Sequence, residues 1–215
     1  MKPNIAPYKS LNSPELIYGS KRLFNTLQKV YERRYADFYL DNGSDDVEES
    51  FEEVLQVIGD PMDLINHQRY VTIGWAIALA AQPTIQYYFP DDYRADTVVK
   101  HVSIWLGNQI KLSGNVANTL FPEINKDGFG GHPAAEEAYH IFYNLIKSLD
   151  PKDAYEAIID ILYDAMTGDA IIPSSSKKRQ LFNWWLIDVV PSAYYLRLPS
   201  SFYCKTWPFV PLGNR

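Results

Sequence analysis

Apolar residues in this chain recur at steps of three, four and seven, and no stretch alternates cleanly between apolar and polar. That period belongs to helices with one buried face, so the chain has to build its core by packing helix on helix. The first stripe is Leu16, Leu23, Leu27, Val30 and Tyr31. It opens at Ser13-Pro14-Glu15, which sets a cap, a first-turn proline and a first-turn acid in order. It runs to about Leu40, where Asp41-Asn42-Gly43 stops it. Asp45 and Glu48 have capping-box spacing ahead of Phe51, Val54, Leu55 and Ile58. Asp60-Pro61 starts a helix carrying Val71, Trp75, Ala78 and Leu79, and Pro83 should kink or restart it. Further helices are expected over 92–106, 115–120, 133–149, 151–166 and 178–190.

The expected fold is therefore all-α: seven to nine helices in one domain over 1–198, as a bundle or as stacked helix pairs. Residues 199–215 are expected to form an extended tail packed over a groove. There Pro199, Pro208 and Pro211 are interleaved with Phe202, Tyr203, Trp207 and Phe209.

Composition removes several function classes. The 215 residues are 47% apolar, enough for a sizeable core. A net charge of −6 argues against a nucleic-acid partner, which needs clustered Lys and Arg. A single cysteine, Cys204, leaves no disulfide within the chain and no multi-cysteine metal site. No apolar run reaches the roughly 18–20 residues that cross a bilayer, so no membrane partner is expected. The first residues, MKPNIAPYKSLNSPEL, lack the apolar segment of a signal peptide, and the expected location is the cytoplasm. No serine sits in a G-x-S-x-G elbow, and Cys204 lies in the aromatic tail. The chain is expected to be non-enzymatic and to need no cofactor.

The strongest electrostatic feature is DNGSDDVEESFEE, residues 41–53, with seven acids and no base. Acids favour the N-terminus of the helix they precede, which accounts for three or four of them. The full set makes a one-sign surface that would speed encounter with a basic protein. Asp45, Asp46, Glu48, Glu49, Glu52 and Glu53 are accordingly the candidate partner-binding residues.

Two further constellations are weaker. Glu137-Ala138-Tyr139-His140 is an E-x-x-H, which places both side chains on one helical face; di-iron sites need a second copy, and the chain has none. The loop Gly128-Phe129-Gly130-Gly131 enters a helix at Pro133, where backbone N–H groups suit an anion, but it has no preceding strand and no Gly-Lys-Ser or Gly-Lys-Thr. His67 and His101 share stripes with Trp75 and Trp105 and read as core-edge residues. A helical metal protein or enzyme using Glu137 and His140, and a helical scaffold or adaptor, stay open as other readings.

Residues 86–109, QYYFPDDYRADTVVKHVSIWLGNQ, pose a question of their own. Asp91 and Asp92 suit a helix start, whereas Arg94 is a cation in the first turn, opposed by the helix dipole at a cost of about 0.3–1 kcal/mol. A reach to a carboxylate or carbonyl on a neighbouring helix would explain it. Preceded by Trp75, Ala76, Ala78, Ala80 and Ala81, then Phe89-Pro90-Asp91-Asp92, Arg94, Trp105 and Gly107, the stretch over 70–110 resembles an immunity-protein family of bacterial polymorphic toxin systems, the fifth of the numbered immunity families. Ala95 stands where that pattern has proline. The resemblance implies an all-α protein that binds and neutralises a co-encoded toxin, with Asp91, Asp92, Arg94 and Trp105 as a structural signature. A basic toxin domain would suit the acidic run.

Overall fold

The computed structural model describes residues 21–38, 43–108, 116–122, 131–172 and 175–203. The chain is all-α, with no strand among the described residues. The helices are α1 (Lys21–Glu32), α2 (Val47–Ile58), α3 (Leu64–Tyr88), α4 (Arg94–Asn108), α5 (Val116–Leu120), α6 (Pro133–Lys147), α7 (Ala154–Thr167), α8 (Ser175–Trp184) and α9 (Val190–Tyr194). A π-helical turn, Trp185–Val189, joins the last two.

The architecture is a bundle centred on α3, which packs with α6 and α7 as a mutually contacting trio. Helix α3 is buried on most sides: Tyr70, Val71, Ile73, Gly74, Ala76, Ile77, Ala78, Ala80 and Ala81 all lie inside. Small residues let neighbouring helices approach. A Cβ on Gly74 would lie 2.7 Å from Ile158 Cδ1 and 3.2 Å from both Ile161 Cδ1 and Leu145 Cδ1. Helix α4 covers α3 and α6 on one side, and α2 covers α7 and α3 on another. Helices α1 and α8 close the bundle over Tyr35, Phe38, Phe51, Phe182 and Trp185, all buried, with the Tyr35 and Phe182 rings 4.8 Å apart.

Several boundaries differ from the sequence expectation, each for a local reason. Residues 1–20, including the Ser13-Pro14-Glu15 signal, lie outside the described residues. Helix α1 ends at Glu32 rather than near Leu40, because Tyr35 turns inward and its hydroxyl bonds the Val30 carbonyl and Ser50 Oγ, both at 2.8 Å. Asp46, not Asp45, caps α2, accepting from the Glu48 N–H at 2.8 Å; Asp45 accepts from the Arg34 N–H instead. Asp63 caps α3, three residues after the expected start, while Asp60 closes the turn before it. Helix α3 does not restart at Pro83: it is continuous to Tyr88, held by buried Ala81, Thr84 and Ile85 on either side of the lost hydrogen bond. The final helix continues past residue 190 because the π turn carries it through Pro191.

Residues 200–203 of the tail are not extended but form a 3₁₀ turn. Asp188 accepts from the N–H groups of Ser200 and Ser201, and Trp184 Nε1 donates to Ser201 Oγ at 2.9 Å. The rest of the tail, 204–215, and the glycine-rich stretch 128–130 lie outside the described residues.

The close approach at Gly74 is testable. Gly74→Leu is expected to cost about 1–3 kcal/mol by overpacking, read as a lower urea midpoint. Gly107, whose Cβ would meet nothing within 4 Å, sits in an exposed turn of α4. Gly107→Ala is expected to add up to about 1 kcal/mol through helix propensity.

Candidate interaction surface

The acidic run divides into two groups with different work. Asp45 and Asp46 satisfy backbone N–H groups, as above. Glu53 is half-buried and joins Lys29 at 2.8 Å and the Arg33 guanidinium. Burial works against its charge, but the bonds from Lys29 and Arg33 outweigh it and hold the carboxyl below its usual value. These three acids are part of the α1–α2 joint. Glu48, Glu49 and Glu52 are exposed on one face of α2, followed one turn later by exposed Gln56. Glu48 and Glu49 lie in the first turn, where the dipole favours them by about 0.3–1 kcal/mol each. Glu52 lies in the second turn, and as an i, i+4 like-charge pair with Glu48 it is unfavourable by about 0.2–0.5 kcal/mol. Helix capping therefore accounts for part of this face and not for Glu52.

The Asp-Asp-x-Arg stretch forms a closed polar corner. Asp92 Oδ1 accepts from the Arg94 N–H at 2.9 Å and so caps α4. The Arg94 guanidinium then folds back on the same carboxylate, at 2.9 and 2.6 Å to Oδ2, and extends Nη1 to the Leu120 carbonyl at the end of α5, 3.3 Å away. From α6, Tyr139 donates its hydroxyl to Asp92 Oδ2 at 2.6 Å, and its ring lies 4.8 Å under the Arg94 guanidinium. Burial penalises the Asp92 charge, but the bonds from Arg94 and Tyr139 hold its pKa below normal. Burial and the Asp92 carboxylate push the Tyr139 hydroxyl above its usual range. Tyr139 is buried, and the corner fastens α4 to α5 and α6. Asp91 is exposed beside it, and Trp105 is far along α4, its ring 4.9 Å from His67. The structure thus brings together Asp92 and Arg94 but not Asp91 or Trp105.

A second polar cluster joins Glu137 and His140 of the E-x-x-H to Asp164, Asp169 and Lys178, which the sequence did not single out. Glu137 of α6 reaches the loop after α7 and accepts from the Asp169 N–H. A Cβ on Gly168 would lie 2.5 Å from the Glu137 carboxyl carbon and 2.6 Å from the Asp164 carbonyl oxygen, so a side chain there would displace backbone as well as this latch. Lys178 of α8 is buried, 3% exposed, with Asp169 Oδ1 3.7 Å away. Burial lowers its pKa. Asp164 of α7 is pushed up to about 7 by burial, then by Glu137 and Asp160. His140 Nδ1 lies 4.0 Å from Asp164. The E-x-x-H thus faces Asp164, yet no three His, Cys, Asp or Glu side chains among the described residues are grouped to hold a metal ion. His67 is held by the Ser148 carbonyl at 2.8 Å, and His101 by the Thr97 carbonyl one turn back.

No helix among the described residues is long and apolar enough to cross a membrane. Comparison with protein-family models, with curated proteins and with solved structures gives no match.

Two stability measurements test this electrostatic assignment. Arg94→Ala strands the Asp92 carboxylate and is expected to cost about 2–3 kcal/mol at pH 7. Because the Asp92 pKa is depressed when folded, its contribution is present above the unfolded value near 4 and lost as pH falls. The Arg94→Ala deficit should therefore shrink below about pH 4. Asp164 has the opposite sign. Its raised pKa makes its contribution greatest below about pH 4 and lost as pH rises through about 7. Asp164→Asn is expected to change little at pH 4 and to raise the urea midpoint at pH 8.

Proposed function

We propose that this chain is a non-enzymatic, cytoplasmic binding protein of the immunity type, which docks on and neutralises a co-encoded bacterial toxin with a basic surface. The observation that carries the reading is the Glu48, Glu49 and Glu52 face: three exposed carboxylates on a helix whose other acids are engaged in the fold. Their field extends about a Debye length, roughly 8 Å at physiological salt, and raises the encounter rate with a cationic partner. The helix behind them is rigidly set by the Asp46 cap, the Glu53 pairs and buried Phe51, Val54 and Leu55, so little order has to be gained on binding. The resemblance over 70–110 supplies the toxin as partner. The Asp92–Arg94 corner in that stretch is architectural and supports the fold rather than the contact.

Co-expression with the toxin encoded beside this chain is the direct test. Growth is expected to recover in the presence of the chain. Glu48→Lys, Glu49→Lys and Glu52→Lys together are expected to slow association about tenfold or more at low salt and to flatten its salt dependence. Glu53 is left intact in this variant because it belongs to the α1–α2 joint. Wild-type association kinetics in the triple variant would remove the acidic face from the interface. Capture of an ordinary cellular protein as the main partner, with no rescue, would favour an adaptor.

A further inference from the structure

Residues 60–65 read DPMDLI, and the turn they form is unusual for what it leaves outside. Met62, Leu64 and Ile65 are 61%, 52% and 53% exposed, although α3 becomes deeply buried from His67 onward. Most other large apolar side chains exposed among the described residues are tyrosines, whose hydroxyls are at home in water. Here three sulfur or aliphatic side chains stand together. Side chains exposed in this way have no internal packing role, and a group of them is a candidate contact surface.

An open cleft of about 460 Å³ adjoins this patch. Pro61 and Met62 form one wall, Pro151 and Tyr155 the other, and Tyr70 lies between. Tyr70 is itself buried, 1% exposed, with its hydroxyl bonded to the Leu55 carbonyl at 3.0 Å, so it backs the cleft without adding a free donor. The Tyr155 ring lies 6.3 Å from it. The surroundings are acidic. Asp60 lines the cleft, Glu52 and Glu156 both raise the Tyr155 pKa after burial itself, and Asp150 and Asp153 neighbour the lining residues Pro151 and Lys152 in sequence. Lys152 is the cation in the lining. Glu52, the acid that helix capping leaves unexplained, is thus within electrostatic reach of Tyr155 in the cleft wall.

We propose that the cleft between the α2–α3 turn and the start of α7 is the anchor site of the binding surface, taking one large apolar or aromatic side chain from a basic segment of the protein partner. Apolar walls inside a carboxylate rim fit that occupant on both counts: the anchor is desolvated between Pro61 and Met62 on one side and Pro151 and Tyr155 on the other, and flanking lysines or arginines meet Glu52, Asp60 and Glu156. A second copy of this acidic chain would meet like charge instead. The inference rests on the reading of the chain as a binding protein and locates where its partner's strongest contact falls.

The chain has three methionines, Met1, Met62 and Met166, and Met166 is fully buried, so methyl-¹³C-methionine spectra report on the cleft through one resonance. The probe is a synthetic dodecapeptide of lysine and glycine with one central tryptophan. It is expected to shift the Met62 methyl saturably and to leave Met166 in place. Leu64→Ser with Ile65→Ser, both surface changes, is expected to weaken that binding about tenfold. An unmoved Met62, an equal shift by the peptide with glycine for tryptophan or glutamate for lysine, or unchanged affinity in the double variant would overturn the proposal. So would a Met62 shift on Trp207→Ala without peptide, which assigns the cleft to the chain's own tail, or one that follows protein concentration, which assigns it to a second copy. Toxin rescue that keeps full affinity in the double variant defeats the cleft and leaves the toxin reading standing; peptide binding without rescue does the reverse.

Discussion

Helix α3 sits at the centre of this molecule because its backbone is bare where two other helices cross it. At Gly74 the side chains of Leu145 from α6 and of Ile158 and Ile161 from α7 occupy the space a Cβ would take. A helix buried on most sides must satisfy all its backbone groups internally and bring small residues to its crossings, and the run of alanines from Ala76 to Ala81 does this. The other helices are arranged around that trio, and their ends need partners. Three arginines supply them. Arg179 reaches the Tyr31 and Arg33 carbonyls at the end of α1, Arg69 reaches the Tyr194 carbonyl at the end of α9, and Arg94 reaches the Leu120 carbonyl at the end of α5. Each places a cation at the negative end of another helix, where carbonyls lack partners of their own. The first-turn position of Arg94, unfavourable within α4, becomes favourable once Asp92 neutralises it and α5 presents its C-terminus.

The same economy separates structural acids from available ones. Asp45, Asp46, Asp92 and Glu53 all hold N–H groups or cations of the fold. Glu48, Glu49 and Glu52 stand on a fixed helix facing solvent, and the line continues through Gln56 to the open apolar turn at Met62, Leu64 and Ile65. A charged approach path ending at an apolar cleft divides binding into two physical tasks. On the proposed reading, the carboxylates would accelerate encounter over several ångströms, and the cleft would slow departure by desolvating an anchor.

The helical class was legible because the three–four–seven spacing has one structural meaning, and most helices lie within a few residues of their sequence signals. Ends were harder. The stripe through Tyr31 does not reveal that Tyr35 leaves the helix, since its partner Ser50 lies 15 residues away. Neighbouring acids such as Asp45 and Asp46, or Asp60 and Asp63, look equally able to cap, and backbone geometry alone chooses between them. Arg94 was legible as a misfit, but its partners Leu120 and Tyr139 come from helices 26 and 45 residues downstream. The Glu137–Asp169–Lys178 cluster and the Tyr70–Tyr155 cleft were not legible, because each joins segments far apart in sequence. Met62, Leu64 and Ile65 were hidden for the opposite reason: apolar residues beside a helix read as core, and only the fold shows that nothing covers them.

Hydrogen–deuterium exchange on this chain with the proposed toxin partner tests the central proposal, that α2 and the turn leading into α3 form the docking surface. Protection on binding is predicted over 47–65 and the start of α7, with the Asp92–Arg94 corner unchanged because it is already closed in the free protein. Protection centred on 90–96 or along α8, with 47–65 exchanging as in the free chain, would contradict the account.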